Sequence, residues 1–436
     1  MVTGRVALRL DPLALARAAQ RRRLVLVSGT NGKTTTTRLL AAAMGTAGPV
    51  LSNGGGANMP EGILTALLAS KARAGALEVD ELHLPAVARA VRPAVLVLLN
   101  LSRDQLDRSN ETRRLSRLWR DLVTDLSIVE DPPSPSARDS AAGCVQTTVT
   151  VVANADDPLV VWAALPAGDR VRWVAAGQAW TADAMVCPRC AHLLNRGDVA
   201  EPRPGAPSAA GVAAPAEAAP HSGADWWCTH CGLRRPTASV TVTPTGDCTA
   251  RLSTAEGTTT VSLQLPGRCN LANAAVAVSA AVAVGVPLGT AAAALPAVRS
   301  VQGRYSTGTL AGVPVRLLLA KNPAGWVEML DLVDELGPRT PVLVHFHARG
   351  ADGRDPSWIW DVPVRRLLGH PVAVSGERAA DVLLRLATAG VHAEAVSDPE
   401  AGAIRVAALA GHGVQVQVLA TYTAFREVAV EIGALR

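Results

Sequence analysis

Short apolar runs alternate with helix-like stretches from the start of the chain. Runs over 24–28, 48–52, 75–79 and 94–99 are rich in Val and Leu, and the segments between them carry apolar residues at helical spacing. That alternation predicts βαβ units and a mostly parallel, doubly wound α/β sheet. The sheet resumes over 148–175, and two or three Thr/Val-rich runs between 237 and 264 predict antiparallel strands. From about Ser306 a second α/β series begins, with strands predicted near 313–319, 341–346, 371–375, 391–395 and 414–420. We therefore expect one domain over 1–305 and a Rossmann-like α/β domain over 306–436, with the boundary near Tyr305. The Ala/Val-rich stretch from Leu271 to Val298 is broken by Asn273, Ser279, Gly285, Pro287 and Gly289, so it reads as two packed helices rather than a membrane span. Two segments cannot build a core: a Pro/Ser-rich loop over 130–142 and an Ala/Pro/Gly-rich stretch over 195–224, which reads as disordered.

One junction between a strand and a helix dominates the pattern. Leu24 to Ser28 leads into Gly29-Thr30-Asn31-Gly32-Lys33-Thr34-Thr35, which runs directly into a helical stretch. Backbone N–H groups at a helix N-terminus face an anion, and Gly29 and Gly32 let the backbone approach closely. Lys33 can reach the β- and γ-phosphates of a nucleotide, and the Thr34 hydroxyl can sit on Mg²⁺. A plain glycine turn carrying a lysine is the competing reading. The strand–loop–helix context favours the phosphate cradle.

In open α/β sheets, ligands gather at the carboxyl ends of strands, and the polar clusters obey this. Glu78 and Asp80 end the third run, where a carboxylate can hold Mg²⁺ or merely start a helix. Asn100 to Arg108 follow the fourth, and His345 to Asp355 and Thr421 to Thr423 follow runs of the second domain. One cleft between the domains is expected to collect them. Gly267-Arg268-Cys269-Asn270-Leu271-Ala272-Asn273 opens a helix with two Asn three apart. Those side chains can read an adenine edge or cap the helix.

The composition narrows the chemistry. The net charge of +5 suits polyanionic ligands such as nucleotides or pyrophosphates, without establishing nucleic-acid binding. Lys33, Lys71 and Lys321 are the only lysines, against a large excess of Arg. A compact ammonium is the better point charge on phosphate, which singles out Lys33 and Lys321; Lys71 reads as surface. Cys187-Pro188-Arg189-Cys190 and Cys228-Thr229-His230-Cys231 form two C-x-x-C knuckles whose four thiolates suit structural Zn²⁺. They define a ribbon over about 185–236 with the low-complexity stretch inside it. A disulfide or redox pair is the alternative, and His192 and His230 merely flank the site. With no secretory or spanning segment evident, the expected compartment is the cytoplasm.

These motifs resemble a known family. The loop Gly29–Thr34, Glu78, Asn100 with Asp104, Leu106 and Asp107, Asn154-Ala155-Asp156-Asp157-Pro158, and Gly267-Arg268 with Asn270 and Asn273 resemble the ATP-binding central domain of Mur ligases. The four cysteines and three later stretches narrow the resemblance: Lys321-Asn322-Pro323-Ala324-Gly325, Ala351 to Asp361, and Thr421-Tyr422-Thr423-Ala424. They resemble the Mur-ligase-like subunits of lipid II isoglutaminyl synthases. That resemblance implies an ATP-dependent carbon–nitrogen ligase of cell-wall (peptidoglycan) synthesis. ATP, Mg²⁺ and Zn²⁺ would be its cofactors, lipid II its substrate, and a GatD-type glutaminase its partner at the inner face of the membrane. It also implies roles: Lys33, Arg304 and Lys321 on phosphates; Thr34 and Glu78 on Mg²⁺; Asn270 or Asn273 on adenine. Asp355, or Asp352, would complete the partner's catalytic triad, although these Asp residues also suit a simple cap before the Ser357 helix.

Gln105 stands where many Mur ligases have His, and, with the cradle starting about 28 residues in, the usual domain that holds a UDP-linked substrate is not expected. Lys71 comes before the Asn100 run, so no lysine is placed for carbamylation. These departures favour a lipid-linked substrate. Cys144, Cys248 and Cys269 lie in no nucleophile elbow, so glutamine hydrolysis is expected from a separate chain. Two other functions stay open: a stand-alone amino-acid ligase of the Mur or folylpolyglutamate type, and a zinc-ribbon nucleic-acid ATPase. The second would need Trp226, Trp227, Arg234 and Arg235 as its surface, and no nucleic acid is expected.

Overall fold

The computed structural model of the chain describes residues 2–53, 56–103, 112–127, 148–175, 177, 180–197, 225–301, 304–411 and 413–435. Helices α1 (Val2–Leu10) and α2 (Ala14–Ala19) open it. Strands and helices then alternate: β1 (Arg23–Ser28), α3 (Lys33–Gly45), β2 (Val50–Ser52), α4 (Pro60–Ala69), β3 (Ala74–Glu78), α5 (Leu84–Val91), β4 (Val95–Leu98), α6 (Thr112–Ser127), β5 (Thr150–Asn154), α7 (Pro158–Ala164) and β6 (Val171–Ala175). The six strands are parallel in the order β2-β3-β1-β4-β5-β6. In β1, Leu24 and Leu26 enter a core with residues of α4 to α7, while Val25 and Val27 enter a second core on the opposite face. Burial on both faces explains why these strands are continuously apolar instead of alternating.

After β6 come the short pair β7 (Asn195–Gly197) and β8 (Asp225–Trp227), then a meander of β9 (Val240–Gly246), β10 (Thr249–Thr254) and β11 (Gly257–Ser262). β9 joins β6 in parallel, and β9, β10 and β11 pair antiparallel, completing a nine-stranded sheet. The expected antiparallel character of 237–264 is thus realised. Helices α8 (Arg268–Ala283) and α9 (Leu288–Ala293) cover the face that α3 also covers, as the two packed helices expected from Leu271 to Val298.

The second sheet has six strands: β12 (Tyr305–Leu310), β13 (Val313–Leu319), β14 (Val342–His345), β15 (Val372–Ser375), β16 (Glu394–Ala395) and β17 (Val416–Ala420). Its order is β12-β13-β17-β14-β15-β16, parallel except for the β12–β13 hairpin. α10 (Pro323–Glu335) and α11 (Ala379–Thr388) cover one face, and α12 (Pro399–Ala410) and α13 (Tyr422–Glu431) cover the other.

Three local expectations change. β12 was not anticipated, because Tyr305 to Leu310 is Ser/Thr/Gly-rich and only its pairing with β13 makes it a strand. Asn195 to Gly197, placed in the low-complexity stretch, are ordered by pairing with β8; residues 198–224 lie outside the described set. The helix expected at Ser357 is a single 3₁₀ segment, Ser357–Asp361.

Candidate active site and metal centre

β1 lies between β3 and β4, so the loop after it opens into a crevice between two diverging connections, where α/β sheets bind ligands. The loop bends back tightly. Gly32 has φ +84°, and a Cβ there would lie 2.4 Å from Asn273 Oδ1; a Cβ on Gly29 would lie 2.7 Å from Leu99 Cβ. Both positions require glycine, as expected. Asn100 braces the loop from β4: its Oδ1 accepts from the Asn31 N–H at 2.9 Å, and its Nδ2 donates to the Asn31 carbonyl at 3.1 Å. The Thr30 hydroxyl accepts from the Ser102 N–H at 3.0 Å.

Thr34 and Glu78 meet as the resemblance implies. The Thr34 hydroxyl donates to Glu78 Oε2 at 2.8 Å, and Asn58 Nδ2 donates to Oε1 at 3.2 Å. Asn53 holds the Glu78 backbone through both its carbonyl and its N–H. This buried carboxylate beside a hydroxyl at a helix N-terminus is an oxygen donor pair suited to Mg²⁺. Asp80 is turned away, accepting from the Leu82 N–H at 3.0 Å.

Lys33 is buried. Its ammonium donates to the Gly29 carbonyl at 2.5 Å and to Glu81 Oε1 at 3.1 Å. Glu81, which the sequence did not single out, therefore positions the lysine under the loop. Thr35 lies on the same first turn of α3 and lines the cleft together with Arg304 and Lys321. Asn270, Asn273 and Tyr305 also line it. Asn273 Oδ1 accepts from Thr36 at 3.2 Å, while Asn270 Nδ2 donates to the Pro266 carbonyl at 2.7 Å, so neither side chain caps α8.

The second domain closes onto this site through a contact the sequence did not reveal. Asn322 caps α10 by accepting from the Gly325 N–H at 2.8 Å, and it also exchanges side-chain bonds with Asn31. Nearby, Glu328 of α10 faces Cys269 of α8. Burial, with Asp331 close by, pushes its carboxyl up to about 8. Asp157 caps α7 and accepts from the Leu101 N–H at 2.8 Å; burial pushes it up to about 6.

The cleft does not collect everything the sequence assigned to it. His345, Asp352, Asp355, Thr421 and Thr423 do not line it. Lys321 follows β13, whereas His345 ends β14, with β17 between the two strands. Asp352 instead accepts from the Thr423 N–H at 3.1 Å. Asp355 is exposed and accepts from the Ser357 N–H at 2.9 Å, the capping contact weighed above, and that bond holds its carboxyl below the usual range. Asp361 pairs with Arg103 at 3.1 Å. Trp358 is buried against Phe346, whereas Trp360 is half exposed. Asp104, Gln105, Leu106, Asp107 and Cys144 lie outside the described residues.

The four knuckle cysteines converge. Cys187 and Cys231 Sγ lie 3.6 Å apart, and Cys190 and Cys228 Sγ 3.5 Å apart, with all four sulfurs within 4.8 Å of one another. A zinc ion bonded to sulfur at ~2.3 Å in tetrahedral geometry puts sulfurs about 3.7–3.8 Å apart. A disulfide would need about 2.05 Å. The residues therefore fit a closed structural Zn²⁺ site. The rings of His192 and His230 stack at 3.7 Å, outside this cluster. Trp226 is fully buried and donates to the Ala155 carbonyl at 3.3 Å, anchoring the ribbon to β5. Arg235 is tied to Asp156 at 2.6 Å. Two of the four side chains a nucleic-acid surface would need are thus engaged in structure.

The fold is that of the Mur ligases, with a zinc-type cysteine cluster and a Rossmann-like C-terminal sheet. Residues 27–128 match the Mur ligase middle domain, and residues 319–425 match the MurT ligase C-terminal domain. Among solved structures, MurF from Acinetobacter baumannii superposes with a TM-score of 0.67 at 15% identity, covering 99% of this chain and 80% of that one. Folylpolyglutamate synthase from Mycobacterium tuberculosis, complexed with ADP, gives 0.60 at 13% identity, covering 98% and 94%.

The particular likeness is to MurT. The MurT subunit of lipid II isoglutaminyl synthase (glutamine-hydrolyzing) from Streptococcus pneumoniae (strain ATCC BAA-255 / R6) is 26% identical over 412 residues, 91% of this chain and 83% of that protein. Its counterpart from Staphylococcus aureus (strain N315) is 25% identical over 89% of this chain and 82% of that protein. Among the described residues, no helix is long and apolar enough to cross a membrane.

Proposed function

We propose that this chain is the ATP-dependent ligase subunit of a glutamine amidotransferase acting on lipid II at the inner face of the cell membrane. The observation that carries this reading is the convergence of the loop after β1, Arg304 and Lys321 about one cleft, with Glu78 held by the Thr34 hydroxyl, in a chain that resembles MurT over nine-tenths of its length. In this reading the region up to about Tyr305 binds ATP, with the ribbon over 185–236 inserted in it, and 306–436 completes the site and carries the partner surface.

The D-Glu α-carboxylate of the stem peptide attacks the γ-phosphorus of ATP, forming an acyl phosphate and releasing ADP. Ammonia from a GatD-type glutaminase then attacks the acyl carbon and expels phosphate, leaving D-isoglutamine. Lys33, Arg304 and Lys321 offer positive charge to oxygens that gain negative charge in transfer. Loop N–H groups hold the phosphates, and Asn270 or Asn273, both lining the cleft, would read adenine. Thr34 and Glu78 would hold Mg²⁺, which would supply positive charge to neutralise the phosphates during transfer. Asp355, exposed and capped only by the Ser357 N–H, would orient the partner's catalytic histidine.

Incubating the two-subunit complex with lipid II, ATP and glutamine should release ADP and an amidated stem peptide. ATP turnover with an amino acid, without partner or glutamine, would favour a stand-alone ligase instead.

A further inference from the structure

We propose that His345, His347 and Glu427 form a second metal site, for a borderline divalent cation such as Zn²⁺, Co²⁺ or Ni²⁺, on the second domain and apart from the four cysteines.

The strand ends build it. His345 is the last residue of β14, and His347 follows on the connecting loop. The Thr421 hydroxyl, just before α13, accepts from the His347 N–H at 3.0 Å and donates to the His347 carbonyl at 3.1 Å. That pair of bonds ties the loop to the start of α13, and the helix then returns Glu427 over the two rings. The ring centroids lie 4.8 Å apart at an interplanar angle of 74°. One nitrogen from each ring and one Glu427 oxygen all fall within 4.8 Å of one another.

The hydrogen bonds account for every ring nitrogen but one. His345 Nδ1 is 2.9 Å from the Ser375 hydroxyl. His347 Nε2 is 2.8 Å from Glu427 Oε2, and its Nδ1 accepts from the Glu377 N–H at 3.2 Å. His345, 4% exposed, makes no ordinary hydrogen bond through Nε2, which lies 3.5 Å from the same Glu427 oxygen. A buried, unsatisfied ring nitrogen costs free energy, and a His347–Glu427 ion pair leaves it unexplained. A cation between the three groups satisfies it. Donors at about 2.0–2.2 Å from a tetrahedral ion lie about 3.3–3.6 Å apart, so the 3.5 Å His345–Glu427 pair already fits and the 2.8 Å His347–Glu427 pair opens to admit the ion. Two imidazoles select a borderline ion over Mg²⁺ or Ca²⁺.

The second shell is also present. Ligation through His347 Nε2 transfers that ring's proton to Nδ1. The Glu377 carboxylate, 3.8 Å from Nδ1, can then accept from that N–H, and the Glu377 backbone N–H, which now donates to Nδ1, has to turn away from the ring. Arg349 bonds to the other Glu427 oxygen and so competes with a cation for the carboxylate. Two histidines and one carboxylate leave open coordination positions, unlike the closed cysteine site.

The test is a titration of zinc-loaded full-length protein with Co²⁺, followed by calorimetry and visible absorption. One further ion per chain should bind, with weak ligand-field bands and no sulfur charge-transfer band. Glu427→Gln, at a half-exposed position where the fold tolerates change, should weaken this binding at least tenfold. His347→Gln should do the same, and Arg349→Ala should tighten it. The proposal is overturned if wild-type protein takes up no Co²⁺ beyond the ion that Cys228→Ser removes. It is equally overturned if the additional site survives Glu427→Gln with unchanged affinity.

Discussion

Asn31 and Asn322, 291 residues apart, exchange side-chain hydrogen bonds at 3.4 and 3.2 Å, joining the loop after β1 to the N-cap of α10. One domain's phosphate loop is thereby registered against the other domain's first helix. Asn322 is 1% exposed, so the contact is shielded from water. Asn322→Ala should remove both the cap, worth about 1 kcal/mol, and the inter-domain link. We expect lower ATP turnover, a raised KM for ATP and a small fall in Tm. Asn322→Asp restores the cap but repels phosphate, so it should recover Tm without recovering KM. Equal recovery of both would remove the proposed link.

Lys33→Ala should cost roughly 10²–10³-fold in ATP turnover, the scale for losing a transition-state charge donor. Because Lys33 is buried against Glu81, it should also lower Tm. Lys33→Arg should rescue poorly, since a larger guanidinium cannot reproduce the 2.5 Å contact with the Gly29 carbonyl. Full turnover in Lys33→Ala would refute the cradle.

Glu328 makes stability depend on pH. Its carboxyl stays neutral in the folded chain up to about 8, whereas the unfolded chain ionises near 4.5. Between those values the unfolded state binds fewer protons, so stability falls as pH rises across the window and levels off above it. Glu328→Gln removes this term. It should melt higher than wild type at pH 8 and nearly equal to it at pH 4.5. Parallel melting curves for both proteins over that range would show that Glu328 is ionised in the native state.

Asp355→Asn should leave the two-subunit complex assembled and strongly reduce glutamine-dependent amidation. Added ammonia should partly restore product, because the ATP cleft is untouched. The Asp355 side chain contributes one turn-capping bond, to the Ser357 N–H, so Tm should change little. Normal glutamine hydrolysis in this variant would shift the role to Asp352, which is already held by Thr423.

The strand positions, the phosphate loop and the zinc knuckles were legible in the sequence because each is written in local terms. Continuous apolar runs mark doubly covered strands, glycines mark a turn that admits no Cβ, and paired cysteines mark a tetrahedral centre. What escaped the sequence depends on partners far along the chain. Nothing local distinguishes Glu81 from other acids after β3 until Lys33 turns back under the loop to meet it. β12 lacks an apolar pattern and becomes a strand only beside β13. The expectation of one cleft for all polar strand ends failed because β17 inserts between β13 and β14. That insertion directs Lys321 toward the ATP cleft and gathers His345 and His347 around Glu427. Local periodicity sets which residues are strands and caps; the order in which strands pair decides which ends share a site.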